Sequence, residues 1–276
     1  MRVLLLLITL TLSLPAFAGY TAPDLYIPIA GRVAGHDGRQ FLTTVSLTNP
    51  SGEPVTVTIS FLRTAVANPA PRSLALQLAP NESRNVELDA QLLGTDTVGA
   101  LRIQATGDVL AQANVYSRMA GETAARNVGA TFNALPASAA IGTGESAIVQ
   151  GLAGEGFRYR LYVVETVGHP LYFTATLLDV NGRTVAQKRF FVSPREQRTF
   201  EFTAEFPNVR AASLRLTGFN GSGKIVATGA QVTLESRETT PFEMSFPAAP
   251  RHRLQMTETL AYVAVGLSIV VAAVRR

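Results

Sequence analysis

The residues best arranged for chemistry lie in "GFNGSGKI" at 218–225. Gly218, Gly223 and Lys224 occupy the glycine and lysine positions of the phosphate-cradling pattern G-x-x-x-x-G-K-[ST], in which backbone N–H groups and a lysine hold phosphates. Two features oppose that chemistry. Ile225 replaces the hydroxyl that would hold magnesium, and "IVATGAQVTL" then alternates as a strand instead of opening a helix whose N-terminus could face phosphate. The expectation is a loop before a strand, with no nucleotide and no other cofactor.

Other candidate chemistry fares no better. "DVNG" from Asp179 begins like a calcium loop, but its glycine arrives two places early and no Glu closes a twelve-residue frame. Asn181-Gly182 instead suits a tight two-residue hairpin turn, since both residues tolerate positive φ. His36, His169 and His252 stand apart and Cys is absent, so no metal site is expected. A Ser-His-Asp set is recognised by geometry, yet the chain holds no G-x-S-x-G and no close carboxylate pair beside an aromatic groove. His36-Asp37 in "GHDGRQF" is the most polar candidate for acid–base work, and a solvated turn with glycine on both sides is the reading it favours. No catalytic residue is assigned.

The elements that must carry these residues are strands. In "FLTTVSLTNPSGEPVTVTISFL" from Phe41, Val45 and Leu47 alternate with hydroxyl residues, and after Asn-Pro-Ser-Gly so do Val55, Val57, Ile59 and Phe61. That period of two reads as an antiparallel strand pair with one face buried. The pattern returns 116 residues later as "FRYRLYVVETVGHPLYFTATLL", with Phe41 matching Phe157, Gly52 Gly168, Pro54 Pro170 and Leu62 Leu178. "APNESRNVEL" then pairs with "SPREQRTFEF", "ALRI" with "SLRL", "DVLAQANVYSR" with "KIVATGAQVTLESR", and "FNALPA" with "FEMSFPAA". Matches in one order along the chain indicate a tandem duplication. The copy of the Gly-Lys stretch is then "ATGDV", a plain loop.

The fold class expected is all-β: two tandem β-sandwich domains at 24–136 and 146–247, each with seven or eight short strands, joined by a linker at 137–145. "DAQLLG" at Asp89 and "TAEF" at Thr203 are read as helical turns between strands. The order "YIPIAG", "TTVSLTNPSGEPVTVTISFL", "PNES", "GALRI", "VLAQANVYSR" resembles an immunoglobulin-like sandwich repeat of uncharacterised exported bacterial proteins. The resemblance covers both copies, more loosely in the second, where "VVETVG" replaces "LTNPSG". It implies fold and export but no activity. The Cys pair and core Trp of true immunoglobulin domains are missing, so the likeness is architectural.

The two ends say where such a chain works. "MRVLLLLITLTLSLPAFA" has a positive start, an apolar run, and Ala-x-Ala before Gly19, which reads as a signal peptide over 1–18. Export without Cys excludes disulfides, so stability must come from burial, and a bacterial envelope protein is the expected source. After a Pro-Ala-Ala-Pro break and a juxtamembrane linker at 248–258 comes the segment 259–276, uncharged from Thr259 to Val274 and ending in Arg275-Arg276. As a helix its sixteen apolar and neutral residues span roughly 24 Å at about 1.5 Å each, short of the ~30 Å hydrocarbon core, a gap that arginine stems and slight bilayer thinning cover. The arginines then face the cytoplasm, with the domains outside in the periplasm or on the cell surface. The tail also resembles bacterial sorting tails that a membrane protease removes, although "MTET" stands where their Pro-Glu-Pro would be. Without Arg2, Arg275 and Arg276 the 24 basic residues fall to 21, against 20 acidic, and no basic stripe marks a nucleic-acid surface.

These readings point to a non-catalytic, membrane-anchored binding or structural protein whose partner is a protein or a surface polymer. An exported hydrolase and a periplasmic assembly factor are the competing classes. Sandwich domains contact partners through loops and sheet edges, so the candidate contact residues are His36, Asp37, Arg39, Asn49, Glu53, Arg158, Tyr159, Arg160, Asn220 and Lys224. Tyr159 and Arg160, with Tyr162, Tyr172 and Phe173, form a candidate aromatic surface, set against ordinary cross-strand pairing.

Overall fold

The computed structural model describes residues 20–35, 38–119, 128–153, 156–202, 206, 211–235 and 238–245. The expected signal peptide, His36, Asp37 and the expected span at 259–274 lie outside the described residues. Among the described residues no helix is long and apolar enough to cross a membrane.

The chain is all-β and sandwich-like. Its first half runs β1 (Thr21–Ala34), β2 (Arg39–Thr48), β3 (Val55–Arg63), β4 (Arg72–Leu78), β5 (Ser83–Glu87), a short helix α1 (Ala90–Leu93), β6 (Thr97–Met119), β7 (Val128–Asn133) and β8 (Leu135–Pro136). The second half runs β9 (Ser146–Ala153), β10 (Phe157–Glu165), β11 (Leu171–Leu178), β12 (Thr184–Val192), β13 (Gln197–Glu201), β14 (Ala211–Gly221), β15 (Ile225–Thr233) and β16 (Thr239–Glu243). In the second half β12-β11-β14-β9 and β13-β10-β15-β16 form two four-stranded sheets. In the first half β4-β3-β6-β1 and β5-β2-β6-β7 repeat both orders, because the 23-residue β6 serves each in turn. Registers repeat as well. Thr58 opposite Gln104 becomes Thr174 opposite Thr217, Thr44 opposite Asn114 becomes Arg160 opposite Ala230, and Ala113 opposite Phe132 becomes Gly229 opposite Phe242.

The alternation seen in sequence decides the faces. Val45, Leu47, Val57, Ile59, Leu101 and Ile103 enter one buried cluster, and Leu161, Val163, Phe173, Ala175, Leu214 and Leu216 the other. Each such side chain contributes about 1.5–3 kcal/mol of burial at most, the upper bound set by a fully extended unfolded chain. Asp89 starts α1 as expected, its carboxylate accepting the Gln91 and Leu92 amides.

The halves are docked through polar groups as well as apolar ones. Tyr26, Leu62, Ala100 and Leu135 of the first half pack into the second half's core, while Tyr162 and Ala230 pack into the first's. Tyr26 donates its hydroxyl to the Thr166 carbonyl at 2.7 Å, and burial raises its pKa, which keeps that donor protonated. The Gln197 carbonyl accepts the Ala65 amide at 2.9 Å. Residues 137–145, read from sequence as a linker, join this junction. Ala137–Ala139 form a 3-10 turn, Ala139, Ala140 and Ile141 are buried, and Ile141 exchanges both backbone bonds with Ile225 at 2.9 Å.

The β11–β12 hairpin corrects one expectation. Asn181 does not take positive φ; only Gly182 does, at 76°, and Leu178 pairs with Thr184 across a five-residue loop. The Asp179 carboxylate captures the Asn181 and Arg183 amides at 2.8 Å, so the turn is built round an aspartate and not as a two-residue Asn-Gly turn.

A buried polar side chain ends β2 and β10 at equivalent positions. Asn49 donates to the Glu53 and Ala79 carbonyls and accepts from the Ser51 amide and hydroxyl. Its counterpart, Glu165, is fully buried and accepts four backbone N–H groups, from Val167, Gly168, Arg195 and Lys224, at 2.7–3.2 Å. Unpaired buried donors cost about 1–3 kcal/mol each before relaxation. Glu165→Leu is therefore expected to lower unfolding free energy by roughly 3 kcal/mol, read by urea titration; a loss below about 1 kcal/mol would show that water replaces the carboxylate.

Candidate functional site

The Gly-Lys stretch is where one strand becomes two. Gln104 and Asn114 lie ten positions apart on continuous β6, whereas their counterparts Thr217 and Ala230 lie thirteen apart, and the three additional residues divide β14 from β15. Gly218 sits inside β14, and the turn packs against the backbone of the β10–β11 loop. A Cβ on Gly223 would come within 2.3 Å of the His169 carbonyl, and one on Gly221, at φ 107°, equally close to that of Pro170. The Lys224 amide donates to Glu165, its carbonyl accepts from Thr166, and its ammonium lies 3.9 Å from Glu145. These glycines permit a close crossing between sheets, and the lysine is turned toward a carboxylate.

The remaining expected contact residues are dispersed. Asn49 is buried and its polar atoms are spent on its own loop and on the Ala79 carbonyl, so it offers no contact surface. Tyr159 is also buried; its hydroxyl donates to the Gln150 carbonyl at 2.9 Å, and burial pushes its pKa up. Tyr162 and Phe173 are buried too, Tyr162 meeting Phe132 edge-on at 6.3 Å. Of the aromatic surface expected around Tyr159 only Tyr172 is exposed: period-two alternation sends Tyr159, Leu161 and Val163 into the second half's core, and Tyr162, on the opposite parity, packs against the first half. Arg160 Nε contacts Glu201 Oε2 at 2.6 Å and Arg158 Nε lies 3.8 Å from the same oxygen, an ion-pair group on the β13-β10-β15 sheet. Glu53, Asn220 and Lys224 are exposed and Arg39 half-buried. Asn220, Lys224 and His169 share the neighbourhood of the β14–β15 turn. Among the described residues no group of three or more His, Cys, Asp or Glu is placed to hold a metal.

Two concavities were not read from sequence. A cleft of about 730 Å³ lies between the 64–71 loop and α1, with Phe61 and Leu93 in its lining and Arg63 and Arg72 also facing it. Asn68 holds its wall: the buried amide side chain bonds the Arg63 amide and carbonyl, the Val66 carbonyl and, from the second half, the Arg195 carbonyl. A smaller pocket of about 350 Å³ joins β7, β9, β15 and β16, where Asn133 donates to Glu243 at 2.6 Å beside the unpartnered Thr228 hydroxyl. The sequence signal for the cleft was "RTAVANPAPR", two arginines bracketing a proline-rich loop.

No family model matches this chain, and no curated protein matches it. Among solved structures, the crystal structure of Thermotoga maritima 1070 is similar over 43% of this chain and 96% of its own, with 15% identity and a TM-score of 0.35. A likeness that loose carries no argument about activity.

Because Asn68 ties the cleft wall to the other half, Asn68→Ala is expected to cost about 2 kcal/mol and to speed tryptic cleavage at Arg63 and Arg72. Mass spectrometry of timed digests reads this; unchanged cleavage rates would show that the loop is held by its apolar contacts alone.

Proposed function

We propose that this is an exported bacterial protein, anchored by its C-terminal apolar segment, that displays two tandem β-sandwich domains for non-catalytic contact with a protein or surface polymer. One observation carries the reading: the same sheet orders and registers occur twice, and the halves are tied by hydrogen bonds from the buried side chains of Tyr26, Asn68 and Gln197. Such a body holds its sheet faces and end loops at fixed mutual positions, which suits presentation of contact surfaces. Two of the side chains that first suggested chemistry serve the fold: Asp179 shapes a turn, and Lys224 sits near Glu145. Support for export and anchoring comes from the Ala-x-Ala start and from the uncharged, arginine-terminated tail.

The test uses the full chain. Fractionation is expected to place it in the membrane with residues 1–18 removed, and crosslinking in native membranes to recover a specific partner. Purified protein is expected to show no turnover on esterase, glycosidase and peptidase panels. A turnover abolished by changing one polar loop would replace this reading with the hydrolase one, and recovery in the soluble fraction with an intact Arg276 would remove the anchor.

A further inference from the structure

The outer face of the β12-β11-β14-β9 sheet carries a group of rings that the core does not use. Tyr172 on β11 is 43% exposed and Phe219 on β14 is 39% exposed. Phe191 on β12 lies directly opposite Tyr172, with ring centroids 4.7 Å apart, and Phe219 lies 6.0 Å from Tyr172 on the other side. A register shift makes this row. Tyr172 faces Asn220 and Phe173 faces Gly218, so Phe219 is the unpaired residue of a bulge, which re-aims a side chain. From the next row Arg189 lays its guanidinium 5.1 Å from the Phe219 ring centroid. Beyond the rings stand hydroxyls and a second arginine: Thr174, Thr217 and Ser146 in one row, and in the next the exposed Arg215 between buried Thr176 and half-buried Ile148. Those rows contain no carboxylate.

The first half is an internal control for what the fold requires. At the positions of Tyr172, Phe191 and Phe219 it has Thr56, Gln77 and Thr106, and it builds the same sheet with the same registers. The three rings are therefore not needed for folding. Charge tells the same story. Arg102, the counterpart of Arg215, is held by Asp24 through two bonds of 2.8–2.9 Å. Ser146 replaces that aspartate, and Arg215 has no carboxylate partner among the described residues. The second half has gained exposed rings and shed the countercharge on one face.

We infer that this face binds an acidic polysaccharide, a uronate-bearing chain whose sugar rings lie on Tyr172, Phe191 and Phe219 and whose carboxylates meet Arg189 and Arg215. The axial C–H faces of a pyranose are apolar and fit aromatic rings, while its hydroxyls need the hydrogen-bonding groups that Thr174, Thr217 and Ser146 supply. Arg189 and Arg215, neither ion-paired among the described residues, select anionic over neutral sugars. An apolar protein partner would want aliphatic neighbours beside the rings, and the row next to them holds Arg189, Thr174, Thr217 and Ser146 instead. The proposal rests on the non-catalytic binding reading and names the polymer class for it.

The experiment is affinity electrophoresis of the purified full chain in gels containing polygalacturonate, alginate, hydroxyethylcellulose or poly-glutamate. Retardation is expected in the two uronate gels, weaker in the neutral glucan, and absent in poly-glutamate. The triple change Tyr172→Thr, Phe191→Gln and Phe219→Thr uses residues the first half already tolerates, and should weaken uronate binding at least tenfold with little change in Tm. The single change Arg189→Gln should erase the preference for acidic over neutral polymer. Should the triple variant unfold, Phe219→Thr alone is measured with the same expectation. No retardation by either uronate, equal retardation by poly-glutamate, or binding that survives the changes would overturn the inference. If crosslinking still recovers a protein partner in that case, only the polymer assignment falls and the binding reading stands.

Discussion

Each half of this structure depends on one path of chain that pairs in one sheet and then in the other. In the first half that path is β6, whose early residues lie between β1 and β3 and whose later residues lie between β2 and β7. A strand shared in this way fixes the two sheets relative to each other, because every neighbour takes its register from the same backbone. The second half meets the same demand with β14 and β15. Three additional residues there break the ladder, and glycines let the crossing turn press against the carbonyls of His169 and Pro170. The stretch most like a phosphate loop is thus the turn that carries the chain from one sheet to the other. Gly, Ser and Lys in a short run suit a tight crossing as well as they suit an anion, and only the following element separates the two.

The junction between halves follows from the same economy of buried polar groups. Tyr26, Asn68 and Gln197 are almost wholly inaccessible to solvent, and each bonds backbone of the opposite half. A bond of this kind contributes about 1 kcal/mol net, yet losing one partner strands the other at a cost of up to about 3 kcal/mol. The asymmetry makes separation costly in proportion to the polar groups that would be orphaned, over and above the apolar surface exposed. In a chain without cysteine, that is a way to hold the two halves together.

The strands were legible in sequence because a face that is buried must alternate, and "TVSLT" and "VTVTISF" do so without exception. The repeat was legible because equal registers need equal spacing between apolar positions. Side-chain destinations at strand ends were not. Asn49 looked like loop surface because Asn-Pro-Ser-Gly is turn composition, and nothing local reveals that its amide would be buried under residues thirty positions away. Tyr159 and Tyr172 are both tyrosines on strands, and their opposite fates depend on which parity faces the partner sheet. Residues 137–145 are small and polar enough for a linker, yet Ile141 finds Ile225 at the start of β15, a pairing within the second half that no local pattern announces. The ring of Phe219 turns outward through a bulge, a feature of pairing that one strand's sequence does not contain.

Differences between the halves are of two physical kinds. Asn49 and Glu165 differ in charge and size, but each is answered by backbone groups of its own loop and of neighbouring loops, so the change is absorbed inside the molecule. At Asp24 and Ser146 no described residue answers the change: Arg102 has a carboxylate partner and Arg215, at the matching position, has none among the described residues. The same holds for Thr106 and Phe219, where a side chain bonded to the Thr56 amide gives way to an exposed ring. Once duplicated strands hold the same register, folding requirements are the same at matching positions. A difference that burial and hydrogen bonding inside the molecule do not compensate then points outward, toward something in solvent that completes it.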